Sequence, residues 1–347
     1  MDLIDGVSTV SFASLVIVCW NSSKYLPQCL KSISLQTFQD FEVIIVDNGS
    51  ADDSTIELEK RYPNLNLKVE RLTTNQGFAA ANNLGAHIAR GKWLILLNAD
   101  AFPEPNWLAE LIAASEAHPE IASFSSRQLQ ENNPQFLDGM GDAYHVSGLA
   151  WRVGLGYPSE YYGLDSTEIF SACAAAAMYL RQAFLDVDGF DEDFFSYFED
   201  VDLGFRLQLR GYRCLYVPQA VVYHIGSATF GERSDFAFYH SHRNLVWTFT
   251  KNMPPIMFWL YLPEHLIANF IYLLYYTLCG RGKVLWKAKW DAILGLPIAI
   301  KKRRAIQRKR KVSNTTLAKS MKHGWLQPYL LGYKLRRTLK FTKTDKL

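Results

Sequence analysis

Hydrophobic positions in the first 240 residues alternate between two periods. Leu15-Val16-Ile17-Val18-Cys19-Trp20 is a continuous apolar run, the mark of a strand covered on both faces. Asn21-Ser22-Ser23 follows as a helix-start cluster, and Tyr25, Leu26, Leu30 and Ile33 recur at helical spacing. The alternation then repeats. Glu42 to Val46 predicts a strand ending in Asp47-Asn48-Gly49-Ser50, Ser54 to Arg61 a helix, and Leu67 to Glu70 a short strand. Phe78 to Arg90 predicts an alanine-rich helix closed by Gly91, and Trp93 to Leu97 a strand ending in Asn98-Ala99-Asp100. Asn106 opens a further helix, and Ile121 to Ser125 returns as a strand.

Residues 127–170 break the pattern and read as a long irregular segment of the kind that forms binding loops. Ser171 to Ala177 is a run of small residues, which predicts a close approach to a ligand or another element. Met178 to Leu180 reads as a strand and Gln182 to Val187 as a short helix. After the stretch Phe198-Glu199-Asp200-Val201-Asp202, a helix continues to Gly211. Arg213 to Val217 and Val221 to His224 read as two short strands. Strand–helix alternation with apolar strands predicts a layered α/β domain with a mainly parallel sheet. Ligands of such sheets bind beyond the carboxyl ends of the strands. Polar residues cluster there, at Trp20-Asn21, Asp47-Asn48 and Asn98/Asp100. No GxGxxG follows the first strand and no GxxxxGK[ST] occurs, so the dinucleotide and P-loop phosphate cradles are missing.

From about Tyr239 the pattern changes. Pro254-Pro255 precedes an apolar piece interrupted by Pro263-Glu264-His265, and Leu266 to Cys279 is a 14-residue apolar run. Fourteen helical residues span ~21 Å against a ~30 Å hydrocarbon core. The expectation is therefore of helices lying in a membrane interface or a shallow re-entrant pair, with Trp259, Tyr261, Tyr272, Tyr275 and Tyr276 at headgroup depth. Charge sharpens this picture. The net charge of +3 hides 20 Lys/Arg and two acids in residues 281–347, against a body of net −15. A basic tail directly after an apolar helix points to an anionic membrane and away from nucleic acid. Five cysteines without a CxxC pair argue against a zinc site or disulfide framework and for a reducing compartment. The acid-bearing start, Met1-Asp2-Leu3-Ile4-Asp5, leads us to expect no signal peptide.

Four features carry candidate chemistry. Glu199 and Asp200 fall where a loop becomes a helix, a position that favours an anion and allows a carboxylate to take a proton from a substrate hydroxyl. The plainer alternative is a helix-capping acidic cluster. Asp47, ending a buried strand, can accept the imide N–H of a uracil or thymine ring, with Trp20 over the base; Asp-Asn-Gly-Ser is also an ordinary turn. Asn98 and Asp100 set two oxygen-bearing side chains beside one pocket, where Mg²⁺ or Mn²⁺ with diphosphate would want a ligand. His224, at the end of an apolar strand, would complete that metal site with Asp100.

The order base-binding Asp, metal-binding Asp, acidic pair, histidine resembles the family 2 glycosyltransferases of GT-A fold, most closely the bacterial rhamnosyltransferases. The matching text is LVIVCWNSSKYLPQCLKSI, VIIVDNGSADDS, NQGFAAANNLGAHIARGKWLILLNAD, DGFDEDFFSYFEDVDLGFRLQLRGYR and VVYHIG, within about residues 12–230. Asn98-Ala99-Asp100 departs from the usual Asn-Pro-Asp or Asp-x-Asp and leaves Asp100 as the main acidic metal ligand. The resemblance implies a three-layer GT-A domain over residues 1–238 and an apolar, then basic, helical membrane-association region over 239–347. It implies inverting transfer of a sugar from a nucleotide-diphosphate donor, here dTDP-rhamnose, to a lipid-linked or cell-surface glycan at the cytoplasmic face of a bacterial inner membrane. The same resemblance implies Asp200 as base, with Glu199 orienting base or acceptor. Asp202 would bind a neighbour or the acceptor, and Asn75, Gly77 and Asn82, with Asn98, would line the donor. A divalent cation, the anionic membrane surface and a homo-oligomer complete the expected partners. The departure at Asn98 also admits a second class, a non-catalytic subunit that binds sugar nucleotide or glycan on a membrane.

Overall fold

The computed structural model describes residues 11–226 and 234–325, so the acid-bearing start and the last part of the basic tail lie outside the described residues. In chain order the elements are β1 (Ala13–Cys19), α1 (Leu26–Ser34), β2 (Phe41–Asp47), α2 (Leu58–Arg61), β3 (Leu67–Arg71), α3 (Phe78–Ile88), β4 (Trp93–Asn98), β5 (Ala101–Pro103) and α4 (Trp107–Ala117). They continue with β6 (Ser123–Gln130), β7 (Leu137–Gly139), β8 (Asp142–Tyr144), β9 (Ala150–Arg152), β10 (Thr167–Ile169), β11 (Ala176–Leu180), α5 (Arg181–Asp186), α6 (Glu199–Arg210) and β12 (Cys214–His224). Five helices follow: α7 (Asp235–Asn252), α8 (Pro255–Leu278), α9 (Gly282–Leu294), α10 (Leu296–Arg308) and α11 (Asn314–Ser320).

The main sheet runs β10-β12-β6-β11-β4-β1-β2-β3. Its long strands are parallel except β11, which lies antiparallel between β4 and β6. Alternation of side chains along each strand builds the layers. Leu15 and Ile17 of β1 share one buried cluster with Leu26, Leu30, Trp107 and Leu111 of α1 and α4. Val16, between them, faces the other cluster with Ala79, Ala86, Leu203 and Leu207 of α3 and α6. This is the expected three-layer α/β arrangement.

The opposite face of α6 does not meet water. Val201, Phe205 and Leu209 pack with Phe249, Met253, Met257, Leu317 and Met321 from the C-terminal helices. The helix beginning with the acidic stretch is thus enclosed between the sheet layer and the C-terminal region, and the boundary at 238 falls inside α7.

Four local expectations are corrected. Residues 127–170 hold β7 to β10 and the tail of β6, strands of about three residues too short for any period to reveal. The two strands around 213–224 are one, β12, with a register shift between Val217 and Val221. Pro218 in that gap has no N–H to give the ladder. Only Leu58–Arg61 of the 54–61 segment is α-helical, because Ser54 is held in a turn by Asp52. Finally, Pro263 does not divide the apolar segment: α8 is continuous over 24 residues, ~36 Å in length.

Candidate active site

Parallel register assembles the first half of the site. Pairing of β1 with β2 sets Cys19 opposite Asp47, and pairing with β4 sets Val18 opposite Asn98. Trp20, Asp47 and Asn98 therefore leave the sheet along one edge. Asp47 is buried; its Oδ1 accepts from the Ser50 backbone N–H at 2.9 Å and its Oδ2 from the Thr55 hydroxyl at 2.5 Å. A carboxylate offers about four lone-pair sites, so both oxygens keep capacity for one more donor. Asn48, placed at the strand end by the sequence but given no role there, ties the next loop to this edge. Its Nδ2 donates to Asn75 Oδ1 (3.0 Å) and the Gly77 carbonyl (3.2 Å), and its Oδ1 accepts from the Gln76 N–H (2.8 Å). Asn75 and Gly77 thus sit beside Asp47, whereas Asn82 turns its Nδ2 back to the Phe78 carbonyl of its own helix at 2.9 Å.

The second group forms because β12 pairs antiparallel with β5, placing His224 opposite Ala101 and so beside Asp100. His224 Nδ1 donates to Asp138 Oδ2 at 2.8 Å, and Arg152 Nη1 donates to the same oxygen at 2.8 Å. His224 Nε2 is buried, lacks a hydrogen-bond partner and lies 3.5 Å from Asp100 Oδ1. Burial alone would lower the imidazole pKa; Asp100 and Asp138 outweigh it and raise it to about 9. Burial would likewise raise Asp138, but Arg152 and His224 hold its carboxyl below the usual range.

One imidazole nitrogen fixed by a carboxylate is how metal-ligating histidines are oriented, and a cation here would take the place of the Nε2 proton that faces Asp100. Among the described residues no three or more His, Cys, Asp or Glu converge as a metal cluster. Asp100 and His224 are two, a set that fits a cation completing its shell with diphosphate oxygens and water.

The acidic stretch lies across from this edge. Phe195, Tyr197 and Phe198 all have positive φ (65°, 67° and 72°), a left-handed conformation costing roughly 1–3 kcal/mol each for non-glycine residues. The three acids then occupy the first turn of α6 in three different states. Asp202 is fully buried; it accepts from Arg206 Nε (2.8 Å), Lys251 Nζ (2.8 Å) and Asn252 Nδ2 (2.7 Å), so it serves a neighbour. Glu199 is buried with Oε2 unpartnered, and burial together with Asp200 pushes its pKa well up. Asp200 keeps part of its surface exposed and accepts from the Val201 N–H (2.8 Å) and the Ala174 N–H (3.3 Å). Burial raises its pKa; Arg152 and those N–H groups pull the other way without cancelling it.

The small-residue run explains the Ala174 contact. A Cβ on Gly204 would stand 2.1 Å from Ser171 Cβ, so α6 crosses this segment at backbone distance. Asp142 joins from β8, buried and pushed well up by burial and by Asp200. Three carboxyls thus act on one another here, Arg152 offsets the charge on Asp142 and Asp200, and of the three Asp200 is the most exposed. Asp138, Asp142 and Arg152 all come from the segment that read as irregular. The one signal available there was Asp138-Gly139-Met140-Gly141-Asp142, two acids bracketing a turn.

With this geometry in view, the match to known proteins is specific. The family model for Glycosyl transferase family 2 covers residues 14–187, half of the chain. The chain is a family 2 glycosyltransferase. It is 28% identical over 236 residues to the N-acetylglucosaminyl-diphospho-decaprenol L-rhamnosyltransferase of Mycobacterium tuberculosis, covering 60% of this chain and 75% of that protein. Among solved structures it resembles Staphylococcus aureus TarS 1–349 in complex with UDP-GlcNAc (TM-score 0.55, 21% identity, 85% of this chain and 88% of that one). It also resembles a mannosyltransferase of Pyrobaculum calidifontis in complex with GDP-Man and Mn2+ (TM-score 0.53, 16% identity, 94% and 81%). At these identities the structural likenesses establish the fold. They agree with the GT-A architecture read from the motifs, and the transferase class sets aside the non-catalytic reading.

Proposed function

We propose that this glycosyltransferase moves rhamnose from dTDP-rhamnose, with inversion, to a hydroxyl of a lipid-linked or cell-surface glycan. The rhamnosyltransferase relative supports the donor and acceptor classes. The observation that carries the chemistry is the meeting, around Arg152, of the Asp138–His224–Asp100 chain from the strand edge with Asp200 from α6.

In this reading the nucleotide lies along the β2-β1-β4 edge. Asp47 accepts the base imide N–H, Trp20 covers the ring, and Asn75, Gly77 and Asn98 line the donor, with the buried Asn82 bracing the start of α3 behind them. Asp100 and His224 Nε2 would hold Mg²⁺ or Mn²⁺, which when bound carries part of the diphosphate charge. Asp200 accepts the proton of the acceptor hydroxyl as that oxygen bonds to the anomeric carbon. The bond from that carbon to the diphosphate breaks, and its electron pair leaves with the diphosphate. Attack comes from the face opposite the leaving group, so configuration inverts. A raised pKa suits Asp200 to this task, since a base whose pKa approaches the working pH transfers protons more effectively. Glu199, enclosed beside Asp200 with its Oε2 unpartnered, orients the acceptor through a hydrogen bond.

The C-terminal helices supply the membrane contact in this reading, at the cytoplasmic face of the inner membrane. By length and composition α8 is the one helix among the described residues able to cross a bilayer. Met257, His265 and Ala268 pin one of its faces to the domain, with His265 Nδ1 bonded to the Ser147 carbonyl at 2.7 Å. Its other face exposes Trp259 and Phe270, continued by Trp286 and Trp290 of α9 and Ile298 of α10. Lys301, Arg303, Arg304 and Arg308 follow on α10. A helix fastened to a folded domain along one side fits an interfacial, monotopic placement.

The test is release of nucleoside diphosphate by purified protein given a donor panel, a polyprenyl-linked acceptor and Mg²⁺ or Mn²⁺. Turnover is expected with dTDP-rhamnose; turnover with UDP-GlcNAc or GDP-mannose instead would overturn the donor. Flotation with liposomes is expected only when anionic lipid is present.

A further inference from the structure

The strained turn before α6 is held from outside the catalytic layer. Asn244, fully buried in α7, donates from Nδ2 to the carbonyls of Phe194 (3.1 Å), Ser196 (3.1 Å) and Tyr197 (2.7 Å). Its Oδ1 accepts from Arg243 Nε at 2.9 Å, which fixes the amide with nitrogen toward the turn. Arg243 Nη2 donates to the carbonyls of Asp193 and Phe194, both at 3.0 Å. Two turns further along α7, Lys251 and Asn252 grip Asp202, and Lys251 also pairs with Asp191. Lys302 of α10 reaches Asp191 and, at 2.6 Å, Asp193.

The three left-handed residues Phe195, Tyr197 and Phe198 lie inside this grip, immediately before Glu199 and Asp200. Nothing in their own side chains favours that conformation; backbone hydrogen bonds within the turn and the carbonyl clamp from α7 hold it together. On the far side the turn meets the donor loop. The Ala79 N–H donates to the Phe195 carbonyl at 3.2 Å, and a Cβ on Gly77 would stand 2.7 Å from that same oxygen.

We propose that Asn244, with Arg243, is a positioning residue: the C-terminal helix α7 sets the turn that aims Asp200 at the acceptor. This rests on the reading of Asp200 as the base. Removing the clamp leaves the β2-β1-β4 edge untouched, and the donor loop keeps its own fastening to that edge through Asn48, so nucleotide binding and turnover should separate. A misplacement of about 1 Å costs on the order of 10²-fold in rate.

The experiment uses the full-length chain with Asn244→Leu, Arg243→Ala, Asp200→Asn and the double variant Asn244→Leu/Asp200→Asn. Expected for Asn244→Leu is a fall in kcat of about 10²-fold, with the dissociation constant for nucleoside diphosphate unchanged. Arg243→Ala, at the rim of the clamp, should show the same split more weakly. It carries the test if Asn244→Leu fails to fold. The double variant should be no slower than Asp200→Asn alone, because Asn244 acts through Asp200. Unchanged kcat in a folded Asn244→Leu (or, if that does not fold, in Arg243→Ala) would overturn the clamp. So would equal losses of kcat and nucleotide affinity, or additive losses in the double variant. Retained turnover in Asp200→Asn would instead overturn the base assignment, so the two failures are distinguishable.

Discussion

The two sides of the site are held by different physics. On the donor side, Trp20, Asp47 and Asn98 stand on neighbouring strands whose parallel register sets their spacing. Backbone ladders do that work, Asn21 (φ 51°) is the one non-glycine residue with positive φ beside them, and the loop carrying Asn75 and Gly77 is tied to the edge by the Asn48 amide. On the acceptor side, Glu199 and Asp200 follow a turn with three left-handed non-glycine residues, secured by side chains from helices up to 111 residues further on. A binding edge built from ladders tolerates substitution of single side chains. A base placed by a strained turn depends on every group that pays for the strain. The lesson is that affinity for the donor and competence for transfer are separable here, because separate parts of the fold maintain them.

The largest break in this comparison should come from Asp200→Asn. Loss of a positioned general base typically costs 10²–10⁴-fold, so kcat should fall by about 10³ while calorimetry of nucleotide binding is unchanged. Next is Asp138→Ala, which removes the group fixing His224 Nδ1. Loss of such an outer partner lowers metal affinity by about 10–100-fold, so the Mn²⁺ concentration for half-maximal turnover should rise by that factor. No rise would detach Asp138 from the donor side.

Asp202→Ala sharpens the acceptor side. It leaves Arg206 and Lys251 buried, and Lys251 keeps Asp191. A loss of about 3 kcal/mol in urea unfolding is expected, at the lower end for a broken buried pair. A neutral result would show that the Asp202 group does not secure α6. The smallest effect is on pH. Asp200 has a raised pKa, so it acts as base only above that value and activity is lost as pH falls through it. Arg152 lowers it, so in Arg152→Met the acid limb of kcat/KM should move to higher pH. Movement to lower pH would mean that Arg152 is not the cation stabilising the ionised carboxyl.

Much of the donor side was legible in the chain. Continuous apolar runs at residues 15–20, 43–46 and 93–97 become adjacent buried strands, and each ends in its polar residue at the same edge. That follows because strand period and burial are local properties. The helix from the acidic stretch to Gly211 was legible for the same reason, with Gly211 at φ 87° closing it. The residues that adjust this chemistry were not. Asp138, Asp142 and Arg152 stand on strands of three residues, which have no period to read, and pairings such as His224 with Asp138 join positions 86 apart.

Sequence alone determined the alternation, the sheet edge and the placing of Glu199-Asp200 at a helix start, since each needs only neighbours within a few residues. The tertiary structure decided which acid does what. Asp202 became a buried anchor because Arg206, Lys251 and Asn252 converge on it, and Glu199 an enclosed carboxyl because packing buries it and leaves its Oε2 without a partner. Asp200 became the accessible base candidate because Arg152 and the Ala174 N–H reach it. Three carboxyls within four residues are equivalent along the chain; burial and partners, which are properties of the packed molecule, make them different.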